Sequence, residues 1–249
     1  MDEPRNGPIY VGYLPTPRRY LLFVRIAVPA ILWIAALSAG VISVSQGDPG
    51  EATWDTSIVQ TWSGTVVDAG YPMLLTDEPR QLLPLVEQGK FGARELIAEL
   101  IGSRVVLSGW RLERDGRTMI ELEPGDGAIT PDAGSPSRLS WIEYGEHTLE
   151  GEIVDFKCYL GAMKPGDGRT HKACAALCIR GGIPPVLVTR TSSGAQRYYI
   201  VTDSDGGALS TDAAAFAGEP VRVTGLVARP DGASELARVR VALDRIELR

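Results

Sequence analysis

The longest apolar stretch of the chain covers residues 26–45, which contain no charged side chain. A helix that crosses a bilayer needs about 20 such residues, so the pattern predicts one transmembrane helix. Arginines precede this stretch at Arg18, Arg19 and Arg25, and basic flanks stay in the cytoplasm. We therefore expect a cytoplasmic tail over residues 1–25, a tether over residues 46–60, and a periplasmic remainder held at a bacterial inner membrane.

Two other interpretations of the N-terminal segment stay open. Small residues near positions 38–40 are compatible with signal cleavage, although the apolar stretch is longer than the roughly 7–15 residues of a signal peptide. The pair Arg18 and Arg19 also resembles a twin-arginine export signal, which would imply a domain that folds before export.

Beyond the tether, the sequence contains an internal repeat, in which the same pattern of apolar and polar residues appears in two copies. TWSGTVVD at residues 61–68 matches TLEGEIVD at residues 148–155, and GSRVVLSG at residues 102–109 matches GEPVRVTG at residues 218–225. The offsets are 87 and 116 residues, so the second copy carries about 29 extra residues by subtraction.

Each copy predicts three strands, a helix and two strands, an order that fits an OB-like β-barrel. In the first copy we predict strands at 62–68, 72–75, 82–86, 104–110 and 118–122, with a helix at 93–101. In the second we predict strands at 148–155, 186–189, 197–202, 221–228 and 239–248, with a short helix at 211–217.

The predicted fold class is therefore mainly β, with a transmembrane helix and two OB-like repeats. The first barrel covers residues 61–122, a linker rich in glycine and proline covers 123–147, and the second barrel covers 148–249. A helical, cysteine-rich insertion is expected at 156–185.

Charge and composition narrow the class of partner. The 249 residues are 44% hydrophobic and 22% charged, with a formal net charge of -6. Phosphate binding needs a clustered basic face, so we expect no nucleic-acid partner. The expected partners are the bilayer, through residues 26–45, and a membrane protein complex.

The extra segment contains all three cysteines and one of the two histidines. A helix predicted over residues 170–180 places His171, Cys174 and Cys178 on one face, because their spacing is i, i+3 and i+7. Cys158, at the start of the extra segment, can lie beside the same helix face and supply a fourth donor atom. Three thiolates and an imidazole suit tetrahedral zinc, and soft sulfur donors also suit copper(I).

The cysteines allow two further interpretations. Cys158 can form a disulfide with Cys174 or Cys178 in an oxidising compartment, leaving one thiol free. Alternatively, one cysteine is a reactive thiol whose pKa is lowered by His171 or Lys157.

The spacing of Cys174 and Cys178, with Met163 and His171 nearby, is similar to copper sites of the CuA type and of Sco-like chaperones. It departs from them at Gly182, where CuA sites have a histidine, and at Ile179, where Sco-like proteins have a proline. The segment 151–185 resembles that of uncharacterised bacterial membrane-anchored periplasmic proteins. That resemblance implies no activity.

The remaining candidates favour structural roles. His147 is expected at a strand edge, Met163 in packing, and the matched Asp68 and Asp155 in closing a turn in each barrel. The tryptophans at 54, 62, 110 and 141 would bind a glycan only if they shared an exposed face.

No catalytic residue set is evident in the sequence. Because the chain has two histidines, few of the enzyme mechanisms that use histidine are open to it. We therefore expect an accessory or assembly subunit of a membrane complex, such as a respiratory one, with a structural metal site. The alternatives are a periplasmic thiol or copper redox factor or metallochaperone, and an envelope glycan-binding module.

Overall fold

A computed structural model describes residues 18–45, 51–125, 127–191, 193–209, 211–232 and 236–249. Residues 1–17 of the predicted cytoplasmic tail, and residues 46–50 of the predicted tether, lie outside these ranges. The chain divides into two compact units, one containing the N-terminal helix and one beginning at Pro49.

The N-terminal unit contains helix α1 (Arg18–Ser45), 28 residues with a mean hydropathy of 2.2 over its most apolar window. None of its residues is buried. Its length and composition are sufficient to cross a membrane, and a signal sequence would satisfy the same criteria. Pro29 lies inside the helix.

The first barrel is a closed ring of five strands. Its members are β2 (Gln60–Asp68), β3 (Pro72–Leu75), β4 (Leu82–Val86), β5 (Arg104–Arg114) and β6 (Arg117–Leu122). β2 pairs with β3, β3 with β4, β4 in parallel with β6, and β6 with β5, which returns to β2. Helix α2 (Arg94–Ile97) and a 3₁₀ turn (Ala98–Leu100) connect β4 to β5, whereas β1 (Ala52–Trp54) and β7 (Ile129–Pro131) pair with β5 outside the ring.

The second barrel has the same strand order. Its members are β8 (Trp141–Asp155), β9 (Pro185–Arg190), β10 (Gln196–Thr202), β11 (Pro220–Pro230) and β12 (Ala237–Arg240). β10 and β12 pair in parallel, and β11 closes the ring on β8. A π-helical turn (Cys158–Ala162) and helix α3 (Lys172–Arg180) lie between β8 and β9, and a 3₁₀ segment (Thr211–Phe216) lies between β10 and β11.

The last predicted strand, at 239–248, is wrong. The chain forms β12, a 3₁₀ turn (Leu243–Arg245) and a separate strand β13 (Ile246–Leu248), and both strands pair with β11. Leu226 faces Arg240 and Val223 faces Ile246, so three residues on β11 correspond to six on its partner. The 3₁₀ turn contains the extra residues of this segment, which have no partner on β11.

Residues 123–147, predicted as a linker, contain β7 and the first seven residues of β8. Most side chains in this half of β8 are exposed. Its apolar residues, Trp141, Ile142 and Tyr144, do not follow a regular period-two pattern, so the sequence did not mark it as a strand.

Three hydrophobic clusters form the core, one inside each barrel and one between them. Strands β2 and β3 contribute to two clusters, because Val66 and Leu74 point into the first barrel while Val67 and Met73 point toward the second. We call the cluster between the barrels the seam; it also contains Leu75, Leu82, Phe156, Cys158, Cys178, Tyr198 and Ile200. The cysteine segment is therefore held where the two barrels meet.

Candidate metal centre

The structure brings together the four residues predicted as ligands. Their donor atoms, together with a carboxylate oxygen of Asp155, form two triads that share Cys158, and within each triad the three atoms lie within 4.8 Å of one another. One triad contains Cys158, His171 and Cys174, and the other contains Cys158, Cys178 and Asp155. Asp155, which the sequence assigned to a turn, is thus part of the site. This cluster could hold a metal ion.

The end of β8 positions Cys158. Asp155 is the last residue of the strand and is completely buried, and its Oδ1 accepts a hydrogen bond of 2.8 Å from the backbone N–H of Cys158. The π-helical turn that follows requires Gly161, whose φ of 147° is rare for other residues. A Cβ at this glycine would also lie 2.8 Å from the backbone of Thr53. The sequence thus turns Cys158 inward beside the first barrel.

Helix α3 supplies the other three donors. His171 occupies the N-cap position, and the helix buries Ala175, Cys178 and Ile179. His171 Nε2 lies 2.9 Å from Asp155 Oδ2, and both side chains are buried. A metal-binding histidine usually donates its second ring N–H to a carboxylate, which fixes the ring orientation. Asp155 is therefore placed to fix the orientation of the His171 ring.

The two buried thiols have different acidities. The pKa of Cys158 is raised well above its ordinary value, first because its thiol donates a hydrogen bond to Cys178, and further by burial and the Asp155 charge. The same hydrogen bond lowers the pKa of Cys178, and the nearby Lys90 ammonium contributes in the same direction. Cys178 is therefore the buried sulfur that more readily becomes a thiolate.

Lys90, from the first barrel, reaches the site although the sequence analysis did not identify it. Its Nζ lies 2.8 Å from Cys174 Sγ and 3.6 Å from Cys178 Sγ. The hydrogen bond to Cys174 is the main cause of the raised pKa of Lys90. A residue 84 positions before Cys174 in the chain gives no local pattern that could have predicted this contact.

No protein-family model, curated protein or solved structure matches the chain. The interpretation of the site therefore rests on its own donors and their surroundings.

Lys157, predicted as a residue that could lower a cysteine pKa, has a different position. Its Nζ lies 2.7 Å from Glu121 Oε2 of the first barrel, and both side chains are buried. The same ammonium donates hydrogen bonds of 2.8 Å to the carbonyl oxygens of Glu87 and Gly89. This ion pair joins the two barrels.

The other candidates lie away from the donor cluster. His147 is exposed on β8, with Nε2 3.2 Å from the carbonyl oxygen of Tyr144, and Met163 is exposed after the π-helical turn. Asp68 accepts a hydrogen bond from Gly70 N–H, as expected of a turn residue, and pairs with Arg94.

The tryptophans are dispersed over several surroundings. Trp54 is partly exposed on β1, Trp62 packs against the core of the first barrel, and Trp141 packs against the seam with its ring 4.1 Å from the Arg238 guanidinium. Trp110 Nε1 is buried. They do not offer the shared exposed face that a glycan platform needs.

Proposed function

We propose that the chain is a membrane-anchored, extracytoplasmic accessory or assembly subunit whose second barrel holds one structural zinc ion through Cys158, His171, Cys174 and Cys178. The single observation that carries this proposal is the convergence of three thiols and one imidazole beside a buried carboxylate. Zinc prefers such a closed tetrahedral set, and its structural sites typically use four protein ligands. None of the three cysteines is in a disulfide, so each sulfur is available to bind the ion as a thiolate.

The charges around the cluster also favour zinc. A divalent ion with three thiolates and a neutral imidazole has one net negative charge, and the Lys90 ammonium lies beside two of the sulfurs. Asp155 supplies the carboxylate that orients His171. The ion would thus have both its ligands and their supporting contacts.

The strand order of both barrels supports their assignment as OB-like. In each ring the first strand pairs with the second and the fourth, and the third pairs in parallel with the fifth. OB-type barrels bind ligands on the face of strands two and three and with two loops, one between strands one and two and one between strands four and five. In the second barrel the connection between strands one and two is residues 156–184, which hold the donor cluster, whereas the first barrel has only residues 69–71 there.

The accessory role in a larger membrane complex is inferred from the architecture. Helix α1 is apolar enough to anchor the protein, and the arginines before residue 26 favour a cytoplasmic N-terminus and periplasmic barrels at a bacterial inner membrane. A buried structural ion leaves the outer surfaces of the barrels free to bind a partner subunit.

A second candidate function is handling of copper or of thiol redox equivalents. Cys174 is partly exposed, and the Lys90 ammonium lies 2.8 Å from its sulfur, so an external thiol or metal donor could reach it. Copper(I) would also accept this sulfur-rich set.

Metal content of the full-length chain tests the proposal. The protein is purified in detergent from cells grown without added metal, and zinc, copper and reactive thiols are counted. We expect about one zinc per chain, as in structural sites, and its loss in Cys178→Ser and His171→Ala. His147→Ala removes the histidine outside the cluster and should retain the zinc.

Other outcomes separate the alternatives. Copper in place of zinc would favour the second candidate. No metal, with one disulfide and one free thiol in the untreated protein, would overturn the metal proposal.

A further inference from the structure

The four predicted ligands differ in their access to solvent. Cys158, His171 and Cys178 are 5%, 4% and 1% exposed, whereas Cys174 is only partly buried. A metal ion that enters or leaves such a site does so by exchanging ligands at its accessible sulfur. Cys174 is that sulfur in this cluster, and Lys90 lies next to it.

Backbone contacts between the barrels fix the segment that carries Lys90. Gly92 donates a backbone hydrogen bond of 2.8 Å to the carbonyl oxygen of Gly181, directly after helix α3. A Cβ at Gly181 would lie 1.9 Å from the carbonyl oxygen of Lys90, so only glycine permits this approach. The lysine is therefore held against the end of the helix that supplies Cys174 and Cys178.

Two other lysines near the site are committed elsewhere. Lys157 pairs with Glu121, and Lys172 pairs with Glu219 at 2.9 Å. Lys90 is the lysine whose ammonium contacts the sulfurs.

We propose that Lys90 is a positioning residue of the metal centre, which holds Cys174 as a ligand and thereby controls the exchange of metal with external thiol or chelating donors. The inference rests on the proposed metal function. A hydrogen bond to a metal-bound thiolate stabilises its negative charge and restrains the sulfur, so that it leaves the ion less often. The first barrel would thus regulate a site whose ligands all belong to the second.

Zinc binding by full-length variants in detergent tests this role. Zinc ion alone is the probe, and a chromophoric chelator reports both the affinity and the rate at which the ion is transferred. Supporting contacts of metal ligands are typically worth about 10–100-fold in affinity. We expect Lys90→Gln to weaken zinc binding by that factor and to accelerate transfer, and Lys90→Arg to restore most of the affinity.

Controls separate positioning from packing. Lys172→Gln removes a lysine charge from the same helix region and should behave as the wild type. The thermal midpoint of the metal-free protein should be unchanged in Lys90→Gln. Alkylation of Cys174 in the zinc-loaded protein should be faster in that variant, with Cys158 and Cys178 still protected.

The possible failures are distinguishable. Wild-type affinity and transfer rate in Lys90→Gln would overturn the role of Lys90 and leave the metal site in place. A lowered metal-free midpoint that accounts for the whole loss of affinity would show that Lys90 acts through packing and would also overturn the inference. A wild-type chain that binds no zinc would overturn both this inference and the proposed function.

Discussion

Removal of the Lys157 ammonium should strongly destabilise the unit formed by the two barrels. Lys157 and Glu121 are each only 3% exposed and lie 2.7 Å apart. Truncation of one partner leaves an uncompensated buried charge, which costs about 3–5 kcal/mol. In addition, the carbonyl oxygens of Glu87 and Gly89 would lose their hydrogen bonds from this side chain. We expect Lys157→Met to lower the free energy of unfolding by about 3–5 kcal/mol.

Urea unfolding of the full-length chain in detergent, followed by tryptophan fluorescence, measures this change. The double variant Lys157→Met/Glu121→Leu should cost less than Lys157→Met alone, because no charge remains buried. Arg222→Met is the matched control, since Arg222 pairs with Glu150 and both side chains are about 45% exposed. Exposed pairs contribute about 0–1 kcal/mol. A loss in Lys157→Met no larger than that of the control, or a double variant as costly as the two single changes added, would refute the reasoning.

Two further predictions concern the metal site and the close backbone contact between the barrels beside it. Asp155→Asn should weaken zinc affinity about 10–100-fold, because the carboxylate that orients His171 is lost. Competition with a chelator measures this affinity. Asp68→Asn changes the matched position of the first barrel and should leave the affinity unchanged. Gly92→Ala should lower the unfolding free energy by about 1–3 kcal/mol in a thermal melt, since the new Cβ would lie 2.2 Å from a carbonyl oxygen of the second barrel. Gly127→Ala meets nothing within 4 Å and is the control; equal effects of the two alanines would contradict the predicted clash.

Local patterns in the sequence predicted most strands of both rings. The bounds of β3 and β4 were predicted to the residue, because each is a short apolar run bordered by turn residues and is buried on both faces. The exposed half of β8 was missed, since its side chains carry no apolar alternation. The break after β12 was also missed, because the surplus of residues opposite β11 is a property of strand pairing.

The donor cluster shows the same limit. Helical spacing predicted that His171, Cys174 and Cys178 lie together. Cys158 was predicted as a fourth ligand because it belongs to the same extra segment of the second repeat. The role of Asp155 was hidden, because its match to Asp68 indicated a turn residue in both copies. Its position three residues before Cys158 was the only local signal available. Lys90 is brought to the sulfurs by the contact between barrels, which no local pattern encodes.

The seam has a consequence for any attempt to produce one repeat without the other. Strands β2 and β3 each bury one face inside their own barrel and the other against the neighbouring barrel. A gene fragment encoding only one repeat would expose that second face to water, and the fragment with the cysteines would also lack Lys90. Each barrel therefore covers apolar surface of the other, and we expect neither repeat to be stable when it is expressed alone.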